Sequence, residues 1–245
     1  MKKLLAYNSP EPDRRVRSLV AHFEEINKSV RSSIQATNSP KTISLPNRLL
    51  LEVVLSLSHD AEIFDVGAGS GMLTFSATHL LPNCRVDVIE NNPDCLQFLE
   101  EVAKYTKHQP RINLLSIDIK TYDFYGKKYD CIVLSHILCF FNKPERDMIM
   151  ERVKSSLKPN GIVYFQGFGA KDPYIPVGEE MSFDENDLTF TYQKEGKKLF
   201  WHRTNMQELR DLFPESQFNT DIMKMDQCHY DGSEGFTLVA IAKLL

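Results

Sequence analysis

The chain has 245 residues, 42% of them hydrophobic and 25% charged, which fits one α/β domain with additions. Its formal net charge of -4 argues against nonspecific nucleic-acid binding through a basic surface. The five cysteines are odd in number and form no C-x-x-C pair, so we expect reduced thiols in a cytoplasmic protein and no metal site. The apolar opening is interrupted at Asn8 and Pro10, so neither a secretory nor a membrane-spanning segment is expected.

Residues 1–43 are predicted to form a helical extension. Pro12 can occupy the first turn of an amphipathic helix whose apolar residues recur at helical spacing as far as Ile34. Two uses of this helix stay open: a lid over a substrate, or a packing contact within a homodimer. A second helix is predicted from near Ser44, and it begins the main domain, residues 44–245.

The stretch IFDVGAGSGMLTF, residues 63–75, is the centre of the sequence. An apolar run breaks into three glycines in five positions and then resumes as a helical pattern, which predicts a buried strand, a tight turn and a helix start. Glycines at 67, 69 and 71 allow positive φ and a close approach of the backbone to a ligand. Asp65 is expected at the end of the strand, facing the same crevice.

Spacing separates the two cofactor classes that use such a turn. The dinucleotide fingerprint is G-x-G-x-x-G, but Met72 stands where its last glycine would be. Asp65 would repel a phosphate and therefore favours a cationic ligand. The stretch closely resembles motif I, D-x-G-x-G-x-G, of class I S-adenosylmethionine-dependent methyltransferases. In that family the turn wraps the methionine part of the cofactor, and the acidic residue lies near its ammonium group.

The next two predicted strands also end in acidic residues. RVDVIE, residues 85–90, ends at Glu90, roughly 20 residues beyond the turn, where a carboxylate can accept both ribose hydroxyls. Dehydrogenases share that feature. INLLSIDI, residues 112–119, carries Asp118, which resembles the family position that holds the adenine amino group, with Ile119 against the ring. A simple helix cap is the structural alternative for Asp118.

A fourth strand is predicted over YDCIVLSHILCFF, residues 129–141, with Ser135 and His136 at its carboxyl end. Because ligands of doubly wound sheets bind outside the carboxyl ends of the strands, both residues are expected to face the crevice. A helix follows from about Lys143 to Leu157. The segment after it resembles the family's turn into strand five, with Asn160 in place of a glycine, and asparagine tolerates left-handed backbone.

Beyond Phe168 the chain departs from the common pattern. LTFTYQ and KKLFWHR around KEG predict a β-hairpin, inserted at about residues 169–202. Thr204 and Gln207 predict a capping box for the last helix. FNTDIMKM and GFTLVAIAKLL would be strands six and seven, and the resemblance implies that the last strand is antiparallel. The predicted fold is α/β, a doubly wound, seven-stranded, mostly parallel sheet of the Rossmann-like methyltransferase type.

The resemblance and the strand ends together give the candidate site. The expected cofactor contacts are Asp65, Gly67, Ala68, Gly69, Gly71, Glu90, Asn91, Asp118, Ile119 and Ser135. Three histidines are candidate catalytic bases, with packing as the alternative for each: His136, ranked first, His22 and His202. Four aromatic residues are candidate substrate contacts: Tyr7, Phe168, Tyr174 and Trp201. For the last three, burial in the hairpin's own core is the alternative.

The predicted function is methyl transfer from S-adenosyl-L-methionine to a small-molecule acceptor by in-line displacement, with S-adenosyl-L-homocysteine as product. The chain lacks the N-P-P-[YF] and D-P-P-Y motifs of adenine methylation and the Pro-Cys pair of cytosine C5 methylation, so no nucleic-acid partner is expected. No membrane partner is expected either. The rivals are a non-catalytic cofactor-binding or scaffold protein of the same fold and an NAD-dependent oxidoreductase. Charge leaves a protein or RNA substrate open.

Overall fold

The computed structural model describes residues 45–245 apart from 125, 171, 173–175, 177 and 229–233, and its side chains are not described at 45–48, 105, 226–228 and 234. The predicted N-terminal extension, with Tyr7 and His22, lies outside the described residues, and so does Tyr174.

Strands and helices alternate through the first part of the described chain. The helices are α1 (Leu45–Ser56), α2 (Met72–Leu80), α3 (Pro93–Thr106), α4 (Lys143–Ser155) and α5 (Met206–Leu212). The strands are β1 (Glu62–Val66), β2 (Arg85–Glu90), β3 (Ile112–Ser116), β4 (Tyr129–Ser135), β5 (Leu157–Phe168), β6 (Glu179–Asp184), β7 (Thr189–Lys194), β8 (Lys197–His202), β9 (Phe218–Cys228) and β10 (Glu234–Leu244).

Seven strands form one sheet in the order β3-β2-β1-β4-β5-β10-β9. Strands β1 to β5 pair in parallel, and β10 lies antiparallel between β5 and β9. The predicted fold class is therefore confirmed. The register aligns Val66 with Ile89 on one side and with Leu134 on the other, so the carboxyl ends of β1, β2 and β4 meet at one edge.

Buried side chains cover both faces of this sheet. Adjacent residues of β1 point to opposite faces, with Ile63 in one apolar cluster and Phe64 in the other. The first cluster includes Leu73 of α2, and the second includes Ile149 of α4. Because β1 is covered on both faces, its side chains are buried almost continuously rather than in alternation.

Two boundaries differ from the sequence prediction. Strand β4 ends at Ser135, not at residue 141, because His136 adopts a left-handed φ of 54° and Leu138–Phe140 form a 3-10 helix. The side chain of Asn205 caps α5 by accepting from the Glu208 amide, so the predicted capping box is wrong by one residue. The Thr204 amide instead donates to the Phe168 carbonyl at 2.7 Å.

A second sheet of three antiparallel strands, in the order β6-β7-β8, occupies the segment predicted as a hairpin. Buried ionic contacts join this small sheet to the main one. Arg146 of α4, 4% exposed, lies 2.5 Å from Asp187 in the turn before β7. None of the helices in the described part of the chain combines the length and apolar character that crossing a membrane requires.

Candidate functional site

The glycine turn between β1 and α2 has the backbone conformation that its composition predicts. Gly67, Gly69 and Gly71 have φ of 69°, 53° and 75°, a left-handed region that strains other residues. The Gly67 amide donates to the Ile89 carbonyl at 2.8 Å, which fixes the turn against the end of β2. The turn therefore lies at the sheet edge where the parallel strands end.

The three glycines differ in what surrounds them. A Cβ on Gly71 would lie 2.5 Å from Leu99 Cδ2, and one on Gly67 would lie 2.5 Å from Ile137 Cδ1. A Cβ on Gly69 would meet no atom within 4 Å. Gly71 is thus required for packing, whereas the open space beside Gly69 is a cradle that a side chain would fill and that a ligand can approach.

Glu90, at the end of β2, holds the turn by its carboxylate. Its Oε2 accepts from the Gly69 amide at 2.9 Å, and its Oε1 accepts from the Asn91 and Asn92 amides, each at 2.9 Å. A carboxylate has about four acceptor positions, so one stays available for a ribose hydroxyl. The side chain is buried, which strengthens any charge-assisted hydrogen bond it makes.

Asp65 is buried beneath the turn. The Thr74 hydroxyl donates to its Oδ2 at 2.6 Å. Burial raises the pKa of Asp65 to about 6, although hydrogen bonds from Thr74 oppose this shift. A nearby cation would favour the ionised form, so a cationic ligand would suit this position electrostatically.

We expect Asp65→Asn to stabilise the apoprotein at neutral pH. Because the folded-state pKa lies above the ordinary 3.8, Asp65's contribution to stability is full below pH 3.8 and is lost as pH rises to about 6. Asparagine removes that loss, so the free energy of unfolding should rise by about 1 to 3 kcal/mol at pH 7.5 and stay unchanged near pH 3.5. Urea titrations of the wild type and the variant at both pH values measure this difference. If the two proteins are equally stable at pH 7.5, burial of the Asp65 carboxylate does not destabilise the folded chain.

A narrow cleft brings together part of the predicted cofactor set. It is lined by Val66, Gly67, Ile89, Glu90, Asn91, Ile117, Asp118, Ile119, Ile137 and Phe141. Gly67, Glu90, Asn91, Asp118 and Ile119 were all predicted from the sequence. The other five were not: Val66, Ile89, Ile117, Ile137 and Phe141. All five lie at or beyond the carboxyl ends of β1, β2, β3 and β4, which is a signal that would have found them.

Asp118 lies two residues beyond β3, in a turn that faces the cleft. Its Oδ1 accepts from the Lys120 amide at 2.9 Å, and its Oδ2 lies 3.6 Å from Lys120 Nζ. Lys120 Nζ also contacts Glu145 Oε1 at 3.1 Å. Asp118 thus makes a local turn contact and lines the cleft, and it does not cap a helix, because residues 119–121 form a turn.

Ser135 and His136, at the end of β4, both contact Gln166 of β5. His136 Nε2 lies 2.8 Å from Gln166 Nε2, and the Ser135 hydroxyl donates to Gln166 Oε1 at 3.2 Å. The His136 ring packs on Phe168, which packs on Trp201. The structure therefore brings four predicted site residues together: Ser135, His136, Phe168 and Trp201. Gln166 was missed, because only the pairing of β4 with β5 places it opposite Ser135.

His202 has a different environment, and its geometry favours a structural role over the candidate catalytic one. Its ring is buried, with Nε2 at 2.9 Å from Glu208 and Nδ1 at 3.0 Å from the Thr189 hydroxyl. Both ring nitrogens are occupied by partners that join β7, β8 and α5. In the described residues, His, Cys, Asp and Glu side chains form no group of three or more that would hold a metal ion.

Residues 63–161 match the model of a family described as "Methyltransferase domain". Residues 63–161 are therefore similar to a methyltransferase domain, and the described part of the chain has the fold of class I S-adenosylmethionine-dependent methyltransferases. The three positive-φ glycines, the cleft and the Glu90 clamp fit that cofactor.

Two curated relatives are similar to this chain over part of its length. Malonyl-[acyl-carrier protein] O-methyltransferase of Halalkalibacterium halodurans is 26% identical over 149 residues, which are 58% of this chain and 53% of that protein. The protein of the same name from Acetivibrio thermocellus is 24% identical over 81% of this chain and 62% of its own length. The chain thus spans little more than half the length of these relatives.

Solved structures share the fold. The CcbJ methyltransferase of Streptomyces caelestis superposes with a TM-score of 0.61 at 13% identity, covering 85% of this chain and 100% of that one. The 1,6-didemethyltoxoflavin-N1-methyltransferase of Burkholderia thailandensis has a TM-score of 0.58 at 14% identity, covering 96% and 92%. That protein was crystallised with 1,6-didemethyltoxoflavin and S-adenosylhomocysteine.

Proposed function

We propose that this chain transfers the methyl group of S-adenosylmethionine to a small-molecule acceptor. The observation that carries the proposal is the meeting of the glycine turn, Glu90 and Asp118 at one cleft on the carboxyl edge of the sheet. The two malonyl-[acyl-carrier protein] O-methyltransferases and the toxoflavin-type N-methyltransferase support methyl transfer and differ in the atom that is methylated.

Each group at the cleft has a proposed task. The turn backbone and Asp65 hold the cationic methionine part, Glu90 binds a ribose hydroxyl through its one remaining acceptor position, and Asp118 with Ile119 binds the adenine. Once bound, the cofactor supplies a methyl group on a sulfonium. The chain then has to align the acceptor atom with the bond between the methyl carbon and the sulfur, and it has to exclude water. No covalent enzyme intermediate is required. Ser135 and His136 are the polar groups nearest the acceptor side in this proposal.

The remaining predictions belong to the same proposal. Residues 44–245 form the methyltransferase domain with the inserted strands, and residues 1–43 act as a lid or as a homodimer contact. We propose a cytoplasmic location because of the cysteine content. Phe168 and Trp201 are proposed substrate contacts, and His136 is the proposed polar contact to the acceptor.

Two rivals predict different measurements. A nicotinamide-dependent oxidoreductase is disfavoured because Met72, not glycine, follows the turn. A non-catalytic protein of the same fold would bind the cofactor and release no product. A relative shows that proteins similar to this chain need not be methyltransferases by name. Carboxy-S-adenosyl-L-methionine synthase of Photorhabdus laumondii is 22% identical over 134 residues, and it is named for a different product.

The proposal predicts that methyl-labelled S-adenosylmethionine transfers its label to a small molecule. The purified chain would be incubated with a panel of carboxylates, phenols, amines and thiols and, in separate reactions, with total protein and total RNA, and label would be counted in the small-molecule, protein and RNA fractions. A Gly69→Val variant is the control, because its side chain fills the cradle. Label in protein or RNA would contradict a small-molecule acceptor, and tight cofactor binding without transfer to any substrate class would favour the non-catalytic rival.

A further inference from the structure

An aromatic surface lies beside the cofactor cleft. Four side chains contact one another in series, with ring centroids 4.4 Å apart for His136 and Phe168, 4.6 Å for Phe168 and Trp201, and 5.7 Å for Trp201 and Phe140. We call these four residues the aromatic wall. They come from the loop after β4, the end of β5 and β8, so the wall forms only when the small sheet packs on the main one.

One short segment joins this wall to the cleft. Within residues 136–141, Ile137 and Phe141 line the cofactor cleft, whereas their neighbours His136 and Phe140 belong to the aromatic wall. The 3-10 helix Leu138–Phe140 separates the two sides. A molecule resting on the wall would therefore lie beside the segment that lines the cleft, on the side where a methyl acceptor would be needed.

The wall is held in place before any ligand arrives. His136 is fixed by the Gln166 amide at 2.8 Å and keeps a positive φ of 54°, a costly conformation that tends to occur at functional sites. Trp201 precedes His202, whose ring is anchored by Glu208 at 2.9 Å. An ordered surface loses little entropy on binding, which favours a rigid ligand.

The composition of the wall indicates the shape of its ligand. Phe140 is 49% exposed, a large apolar ring left open to solvent beside a cleft. Aromatic faces prefer flat partners in offset or tilted contact. Resting on the proposed methyltransferase function, we propose that the methyl acceptor is a planar, conjugated ring system that packs against the aromatic wall, with a heteroatom towards His136.

Trp201 is the chain's one tryptophan, so its fluorescence reports directly on the wall. The probes are 2-naphthol and 4-quinolinol, each compared with its ring-saturated counterpart, titrated with and without S-adenosylhomocysteine and corrected for probe absorbance. We expect the flat probes to change Trp201 emission saturably and to bind at least about threefold more tightly than the saturated ones. Equal binding of flat and saturated probes, or no binding of either, would overturn the proposal.

A matched pair of variants locates the binding. Phe140→Leu should weaken the flat probes by about 3- to 10-fold. Phe183→Leu is the control, because Phe183 is 40% exposed on β6 and packs on Phe190 instead. Equal effects of the two variants would overturn the proposal. If Phe140→Leu also weakens S-adenosylhomocysteine binding, the segment of residues 136–141 has shifted and the Leu variant does not isolate the ring. Phe140→Tyr then tests the proposal, because a variant that keeps the ring should keep the affinity for the flat probes.

The two proposals fail separately in this design. A wild-type chain that does not bind S-adenosylhomocysteine contradicts the proposed function, while the probe titrations without cofactor still judge the aromatic wall. A chain that binds S-adenosylhomocysteine and prefers no flat probe contradicts the wall alone.

Discussion

Glu90→Gln is expected to weaken the binding of S-adenosylhomocysteine by about 10- to 100-fold. Glu90 accepts from three backbone amides, at Gly69, Asn91 and Asn92. A glutamine would direct its own NH₂ group at one of these donors, and it would lose the negative charge that strengthens a hydrogen bond to a ribose hydroxyl. The turn and the ligand contact should therefore be lost together.

Calorimetric titration of the variant measures this effect, and Glu100→Gln is the matched control because Glu100 is exposed on α3. The control should bind like the wild type. If Glu90→Gln binds S-adenosylhomocysteine with unchanged affinity, Glu90 does not contact the ligand, and the assigned ribose position is wrong.

The second large effect is expected at Gly71. Gly71→Ala should lower the free energy of unfolding by about 3 kcal/mol, from left-handed strain of about 1 to 2 kcal/mol and overpacking of about 1 to 3 kcal/mol. The added Cβ would lie 2.5 Å from Leu99 Cδ2 and 2.6 Å from Phe75 Cε2. Leu99 is fully buried and Phe75 almost fully buried. The Leu99 methyl and the Phe75 ring therefore cannot move away without disturbing the core.

Gly69→Ala provides the comparison, because Gly69 shares the positive φ but has open space at the Cβ position. Its stability loss should be about 1 to 2 kcal/mol, from backbone strain alone, while S-adenosylhomocysteine binding should fall sharply. Urea unfolding of both apoproteins gives the stability difference. Equal losses for the two variants would show that the packing around Gly71 is looser than described.

The strands and the glycine turn follow from local signals in the sequence, whereas the order of the strands does not. Apolar runs that end at Val66 and Glu90 predict two strands, and the glycines after Val66 predict a turn with positive φ. Each of these predictions needs only residues that are neighbours in the sequence. Parallel strands then align their carboxyl ends, which is why Asp65, Glu90 and Asp118 could be assigned to one edge before the structure was known. Asn160 likewise has the predicted left-handed backbone, with φ of 63°.

The contacts that sequence spacing did not predict are long-range ones. Gln166 reaches His136 across two paired strands, and Arg146 reaches Asp187 across 41 residues of chain. Neither pairing leaves a periodic pattern. The α5 cap moved to Asn205 because the Thr204 amide is used by Phe168, a tertiary contact that overrides a local motif. For the same reason His136, Phe168 and Trp201 were anticipated from the sequence only as single residues, and Phe140 was not anticipated.

The central claim, that the cleft binds S-adenosylmethionine and not a dinucleotide, is tested most directly by titrating the wild-type chain with S-adenosylhomocysteine and, separately, with NADH. We predict saturable binding of S-adenosylhomocysteine at one site per chain and no binding of NADH. Binding of NADH, with no heat from S-adenosylhomocysteine, would contradict the assignment.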